Sequence, residues 1–178
     1  MLNVILDIGA NDGSDGLGYA LFNPNLKIYA FEPNPELISK INKNKEKIEK
    51  IFNVKLSNYK IVNKAVSNFN GTSDFYLSEL DLCSSLLKYK FVKMKKKIAC
   101  EVITLEKFCS EEKIDNIVFL HVDTQGSDLD VLKGLKFYKS INISQKKKIT
   151  LFIFFKLKLT AILILGLSDI LGAIECSI

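Results

Sequence analysis

Short apolar runs alternate with amphipathic stretches along residues 1–140, and this β-α-β order predicts a three-layer, Rossmann-like α/β domain on a mostly parallel sheet. A loop rich in Gly, Asn and Asp closes the first run, as a sharp β-α turn requires. The 178 residues, 48% hydrophobic and 25% charged, suffice for one domain with a substantial core. They exclude a disordered polyelectrolyte, a collagen-like repeat and a disulfide miniprotein. Folds of this class bind ligands outside the carboxyl ends of their strands. The loops after Ile8, Phe31, Val66 and Val122 are therefore the informative ones.

The elements follow in order. Residues 3–8 (NVILDI) predict a first strand, and 14–23 (SDGLGYALFN) a short helix with Ser14 or Asp15 as N-cap. Residues 26–31 (LKIYAF) predict a second strand. Asn34-Pro35-Glu36 then starts a helix, with Asn as cap, Pro in the first turn and an acid at the positive end of the dipole. Leu37, Ile41, Ile48, Ile51 and Phe52 give it an apolar face at helical spacing. Residues 59–66 (YKIVNKAV) read as a third strand, and 72–77 and 98–103 as shorter strands around a Lys-rich stretch. Residues 104–112 predict a short, poorly capped helix. Residues 116–122 (NIVFLHV) are the clearest strand in the chain. Ser127, with Asp130 three positions on, predicts a capped helix that buries Val131, Leu132 and Leu135.

Residues 141–178 differ in kind. Between 149 and 167 the Ile, Leu and Phe side chains gain roughly 4 to 8 kcal/mol on membrane insertion, whereas Lys156 and Lys158 cost about 5 to 7. The balance is near zero. Alternation from Phe155 to Thr160 suits sheet strands; membrane association and a frame-shifted end are the other two readings.

Composition narrows the function classes. The net charge is +5, and every basic residue is Lys. A nucleic-acid reader usually carries Arg for bidentate contacts, so the composition argues against that partner. The Lys-rich run at 90–97 reads as a solvated strand edge or loop, with acidic lipid or nucleic acid as the other reading. Cys83, Cys100, Cys109 and Cys176 form no C-x-x-C pair, and the one histidine, His121, cannot complete a zinc cluster, so no metal site is expected. Isolated cysteines and the lack of a basic leader with a cleavage site point to the cytoplasm, with membrane association through the tail as the alternative.

Three constellations carry chemistry. Asp7-Ile8-Gly9-Ala10-Asn11-Asp12-Gly13 ends the first strand with G-x-x-x-G spacing, unlike the G-x-G-x-x-G of dinucleotide folds. An acid beside that turn repels a pyrophosphate and suits an ammonium or sulfonium group. Glu32, after the second strand, is placed to accept hydrogen bonds from ribose hydroxyls. Asp123 ends the clearest strand, and His121 faces the same side as Asp123 by strand periodicity.

Together DIGANDGSDG, YAFEPNP, NKAVS, TLEKF and VDTQGSDLDVLKGL resemble the motifs of the FkbM family of S-adenosylmethionine-dependent methyltransferases, over roughly residues 3–137. His121 stands where that family usually has Lys, and Asp128 where it usually has Glu. The family fold carries chain before the first strand and more strands after the last helix, so a sheet truncated at both ends is expected. The resemblance implies methyl transfer to a hydroxyl of a sugar, glycan, lipid or small metabolite. It implies that Asp7, Gly9, Asn11, Asp12 and Gly13 hold the methionine moiety, Glu32 the ribose, and Lys64, Ala65 and Val66 the adenine side. Asp123 is the expected catalytic residue, with His121 as second candidate base. Ser84, Ser85 and Asp128 are expected on the substrate side. The rival readings are a nicotinamide-dependent oxidoreductase, which the glycine spacing and Asp7 disfavour, and a non-catalytic membrane-associated remnant.

Overall fold

The computed structural model describes residues 3–79, 83–88 and 93–135. The three readings of residues 141–178 lie outside the described residues. The elements are β1 (Asn3–Ile8), α1 (Ser14–Phe22), β2 (Lys27–Phe31), α2 (Pro35–Phe52), β3 (Tyr59–Val62), β4 (Ala65–Val66), β5 (Gly71–Ser78), β6 (Met94–Ile103), α3 (Leu105–Glu111), β7 (Asn116–Val122) and α4 (Asp128–Lys133).

β3, β2, β1 and β7 form, in that order, a parallel sheet. Register places Asp7 between Ala30 of β2 and His121 of β7. Strand alternation builds the layers. Val4, Leu6 and Ile8 of β1 pack into one core with Phe108 of α3 and Val131 of α4. Ile5 points the other way, into a core with Leu17 and Ala20 of α1 and Ile41 of α2. Asp7 lies on that second side, below α1. A smaller sheet in the order β4-β6-β5 stands beside the first, with β5 antiparallel to β6. Among the described residues, no helix is long and apolar enough to cross a membrane.

Several local expectations need correction. The third strand is two strands. The chain turns at Asn63, where the Lys64 N–H donates to the Val62 carbonyl at 2.8 Å, and β4 leaves the parallel sheet for β6. Neither Ser14 nor Asp15 caps α1. Gly13 holds the N-cap position in the left-handed region, and the Asp12 side chain accepts from the Ser14 N–H and hydroxyl. Helix α3 is properly capped, because the Thr104 side chain accepts from the Lys107 N–H at 3.2 Å. Ser127 sits at the N-cap position of α4 without making the capping bond, and its hydroxyl is buried with no partner. Ile51 and Phe52, in the last turn of α2, are exposed, and the buried residues of that helix, Leu37 and Ile41, lie in its first half. Strand β6 takes in Lys95, Lys96 and Lys97 of the Lys-rich run, which are exposed and pair with Glu36 and Asp74.

Candidate active site

The loops after β1, β2 and β7 and the β3–β4 turn meet at the carboxyl edge of the parallel sheet. They enclose a cleft of about 520 Å³, a size that suits a nucleoside-sized ligand.

Gly9 is the pivot. Its φ is +83°, and its N–H and that of Ala10 both donate to the Phe31 carbonyl, at 3.0 and 2.9 Å. A Cβ at Gly9 would stand 2.1 Å from the Asp123 carbonyl oxygen, so the loops after β1 and β7 touch backbone to backbone. Gly13 does not line the cleft. Its φ is +80°, and a Cβ there would meet Ile41 at 2.9 Å and the Tyr59 hydroxyl at 3.1 Å. It serves the close packing of α1 on α2 and β3.

Glu32 lines the cleft but is only 4% exposed, less than a strand-end acid suggests. Its carboxylate is a loop staple as well as a wall. One oxygen accepts from the Asn11 N–H and the other from the Asn34 N–H, both at 2.9 Å. Asn11 adopts φ +53° to make its bond. Asp12 is at the mouth. Burial pushes its pKa up, but the Ser14 hydrogen bonds and the nearby Lys40 ammonium outweigh that and hold it below the ordinary aspartate value.

Asp7 lines the cleft from the floor of the site and is fully buried. One carboxylate oxygen lies 2.8 Å from Nδ1 of His121, its register neighbour on β7. The other oxygen is buried without a partner, 2.4 Å from where a Cβ on Gly16 would stand. Burial raises the pKa of Asp7, and His121 opposes that rise. The bond to Asp7 raises the pKa of His121 against the opposing effect of its own burial. The Tyr19 ring meets the imidazole edge-on at 6.3 Å, and burial pushes the Tyr19 phenol up to about 12.

Asp123 lines the cleft, half-buried, with its side chain accepting from Gln125 Nε2. Lys64, Ala65 and Val66 form the opposite wall, and the Lys64 ammonium pairs with Glu101 at 2.8 Å. Ser84 reaches the cleft and accepts from the Ser78 N–H at 3.1 Å. Two expected substrate residues do not line it. The buried Ser85 hydroxyl ties its loop to the carbonyls of Thr124 and Gln125, at 3.2 and 2.9 Å. Asp128 accepts from the Thr124 N–H at 2.8 Å and its hydroxyl at 2.7 Å, holding the turn into α4. Both polar groups face inward to brace the β7–α4 loop.

Sequence reasoning missed Asp15, Leu37, Lys40, Phe75 and Leu86 as cleft residues. Leu37 and Lys40 were legible only as faces of α2. Their part in the cleft follows from where Asn34 starts that helix.

The chain matches the methyltransferase FkbM domain over residues 7–160, so the match runs past residue 140. It is similar to the 2-O-methyltransferase NoeI of Sinorhizobium fredii (strain NBRC 101917 / NGR234), at 31% identity over 147 residues. That alignment covers 75% of this chain and 57% of the relative, so the chain spans little more than half the relative's length. Among solved structures it is similar to the methyltransferase FkbM from Methylobacillus flagellatus KT, at 15% identity and a TM-score of 0.48, over 75% of this chain and 28% of that one. With that domain matched over residues 7–160, most of its length, the chain belongs to the FkbM methyltransferase family.

Proposed function

We propose that the protein is an S-adenosylmethionine-dependent O-methyltransferase whose acceptor is a hydroxyl of a sugar, glycan, lipid or small metabolite. The observation that carries this reading is the convergence of Gly9, Glu32, Ala65-Val66 and Asp123 on one cleft. The similarity to a relative named as a 2-O-methyltransferase supports oxygen as the atom methylated. Nothing in the cleft favours the oxidoreductase reading, and its glycine turn lacks the dinucleotide spacing.

The residues present fit such a donor. The Gly9 turn offers backbone with no side chain in the way. Glu32, anchored by two backbone N–H groups, presents a carboxylate at the wall of the cleft for ribose hydroxyls. Phe31, Leu37 and Val66 supply apolar surface for a purine. When bound, the donor supplies a methyl on a cationic sulfur for displacement by oxygen. Acids around the cleft, Asp7, Asp12, Asp15, Glu32 and Asp123, suit that cation. Asn11 and Asp12 lie toward the methionine end. Asp123 orients the acceptor hydroxyl, and His121 is the second group able to receive its proton. Most of the acceleration comes from holding the two reactants in line and excluding water.

We assign donor binding to residues 1–140, with 141–178 as a separate end. Calorimetry on the full chain with S-adenosylmethionine and S-adenosylhomocysteine tests the reading. Micromolar binding of both, weakened at least tenfold by Glu32→Gln, is expected. Binding of neither returns the protein to the class of non-catalytic relatives.

A further inference from the structure

We propose that Asp7 is a positioning residue for His121: it fixes the imidazole so that Nε2 faces the cleft as a proton acceptor, and His121 receives the proton of the acceptor hydroxyl. This deepens the methyltransferase reading and rests on it. Three observations carry it. Nδ1 lies 2.8 Å from the Asp7 carboxyl group, and an ionised Asp7 there favours the neutral ring with its hydrogen on Nδ1 and Nε2 as the acceptor. The imidazole is only 8% exposed, and it lines the cleft. Gly16 leaves room for the Asp7 carboxylate, since a Cβ there would press on its second oxygen at 2.4 Å.

The acceptor oxygen forms a bond to the methyl carbon, the carbon–sulfur bond breaks, and its electron pair stays on sulfur as a neutral thioether. The hydroxyl proton passes to Nε2, and the Asp7 carboxylate offsets the imidazolium charge. Asp123 is then left to orient the hydroxyl. Asp15 and Tyr19 of α1 and Asp123 beyond β7 also face the imidazole, and Tyr59 of β3 lies near Asp7. The acids among them favour the imidazolium.

His121 is the one histidine of the chain, so its ring nitrogens can be followed by 15N NMR in the full-length protein without ambiguity. The neutral ring is expected as the Nδ1–H form, titrating above the ordinary histidine value. Asp7→Asn should give a mixture of tautomers and a lower midpoint, and S-adenosylhomocysteine should shift the ring resonances. Labelled-methyl transfer to a panel of methyl glycosides should fall at least 100-fold in His121→Gln, with donor affinity changed less than about fivefold. In Asp7→Asn the pH limb of turnover should move with the NMR midpoint. An Nε2–H ring in the wild type, or an unchanged tautomer and pH limb in Asp7→Asn, overturns the proposal. So does transfer in His121→Gln equal to the wild type. A wild-type chain that binds no donor overturns the transferase reading and the proton role with it. The imidazole spectrum then still reports the Asp7–His121 bond separately.

Discussion

In the parallel sheet, the polar groups at the carboxyl edge are buried and held by short bonds to backbone or to one another: Glu32 to two N–H groups, Asp7 to His121. In the smaller sheet, charge sits outside. Lys97 pairs with Asp74 across the β5–β6 ladder, and Lys95 and Lys96 reach Glu36 at the start of α2, all about half exposed to solvent. The first arrangement fixes atoms in place, because an unsatisfied buried group costs far more than an exposed pair gains. The second leaves side chains free to exchange partners. The difference places the demanding geometry on the side of the cleft that carries Asp7 and Glu32 and leaves tolerance on the side that carries Ser84 and Phe75.

That contrast can be broken most severely at Gly9. Gly9→Ala puts a methyl 2.1 Å from the Asp123 carbonyl and forces an L residue to φ +83°. Strain alone costs about 1–3 kcal/mol, and parting the two loops adds to it. We expect a lower urea midpoint and donor binding below calorimetric detection. Next comes Glu32→Ala, which strands the N–H groups of Asn11 and Asn34. Each orphan costs about 1–3 kcal/mol. The fold-stability loss should exceed that of Glu32→Gln, which keeps one acceptor; denaturant titration of the pair checks this.

A pH series sharpens the comparison. The pKa of His121 is raised in the folded protein by Asp7. Its stabilisation is therefore complete below the ordinary histidine value, near pH 6.5, and fades as pH rises through the folded value. Unfolding midpoints from pH 6 upward should fall with pH in the wild type and lie flatter in His121→Gln. The smallest effect is expected on the other sheet. Replacing Lys95 and Lys96 together by Ala should leave the melting temperature unchanged at physiological salt, because exposed pairs are screened and mutable.

The same contrast explains what could be read from sequence. Strands β1, β2 and β7 and the Asn34-Pro35 start of α2 follow from apolar runs and capping chemistry, both of which act locally. That Gly9, Glu32 and Asp123 would meet at one cleft was legible because strand ends in this fold converge. Side-chain direction within the loops was not. Asp128 and Ser85 look available for substrate in the sequence, yet backbone groups of the Thr124–Gln125 turn claim both. Asp7 and Asp12 look equivalent, yet strand pairing buries the first against His121 and leaves the second at the mouth. The break at Asn63 was hidden because the apolar residues on either side continue as if the strand were unbroken.

The double anchoring of Glu32 has one more consequence. Ordering a Glu side chain costs up to about 1.5–2 kcal/mol of rotamer entropy. Here the ordering belongs to the fold, since the bonds to Asn11 and Asn34 join Glu32 to backbone of the same chain. A ligand that meets this carboxylate therefore finds it already still, and the binding step loses only the ligand's own freedom.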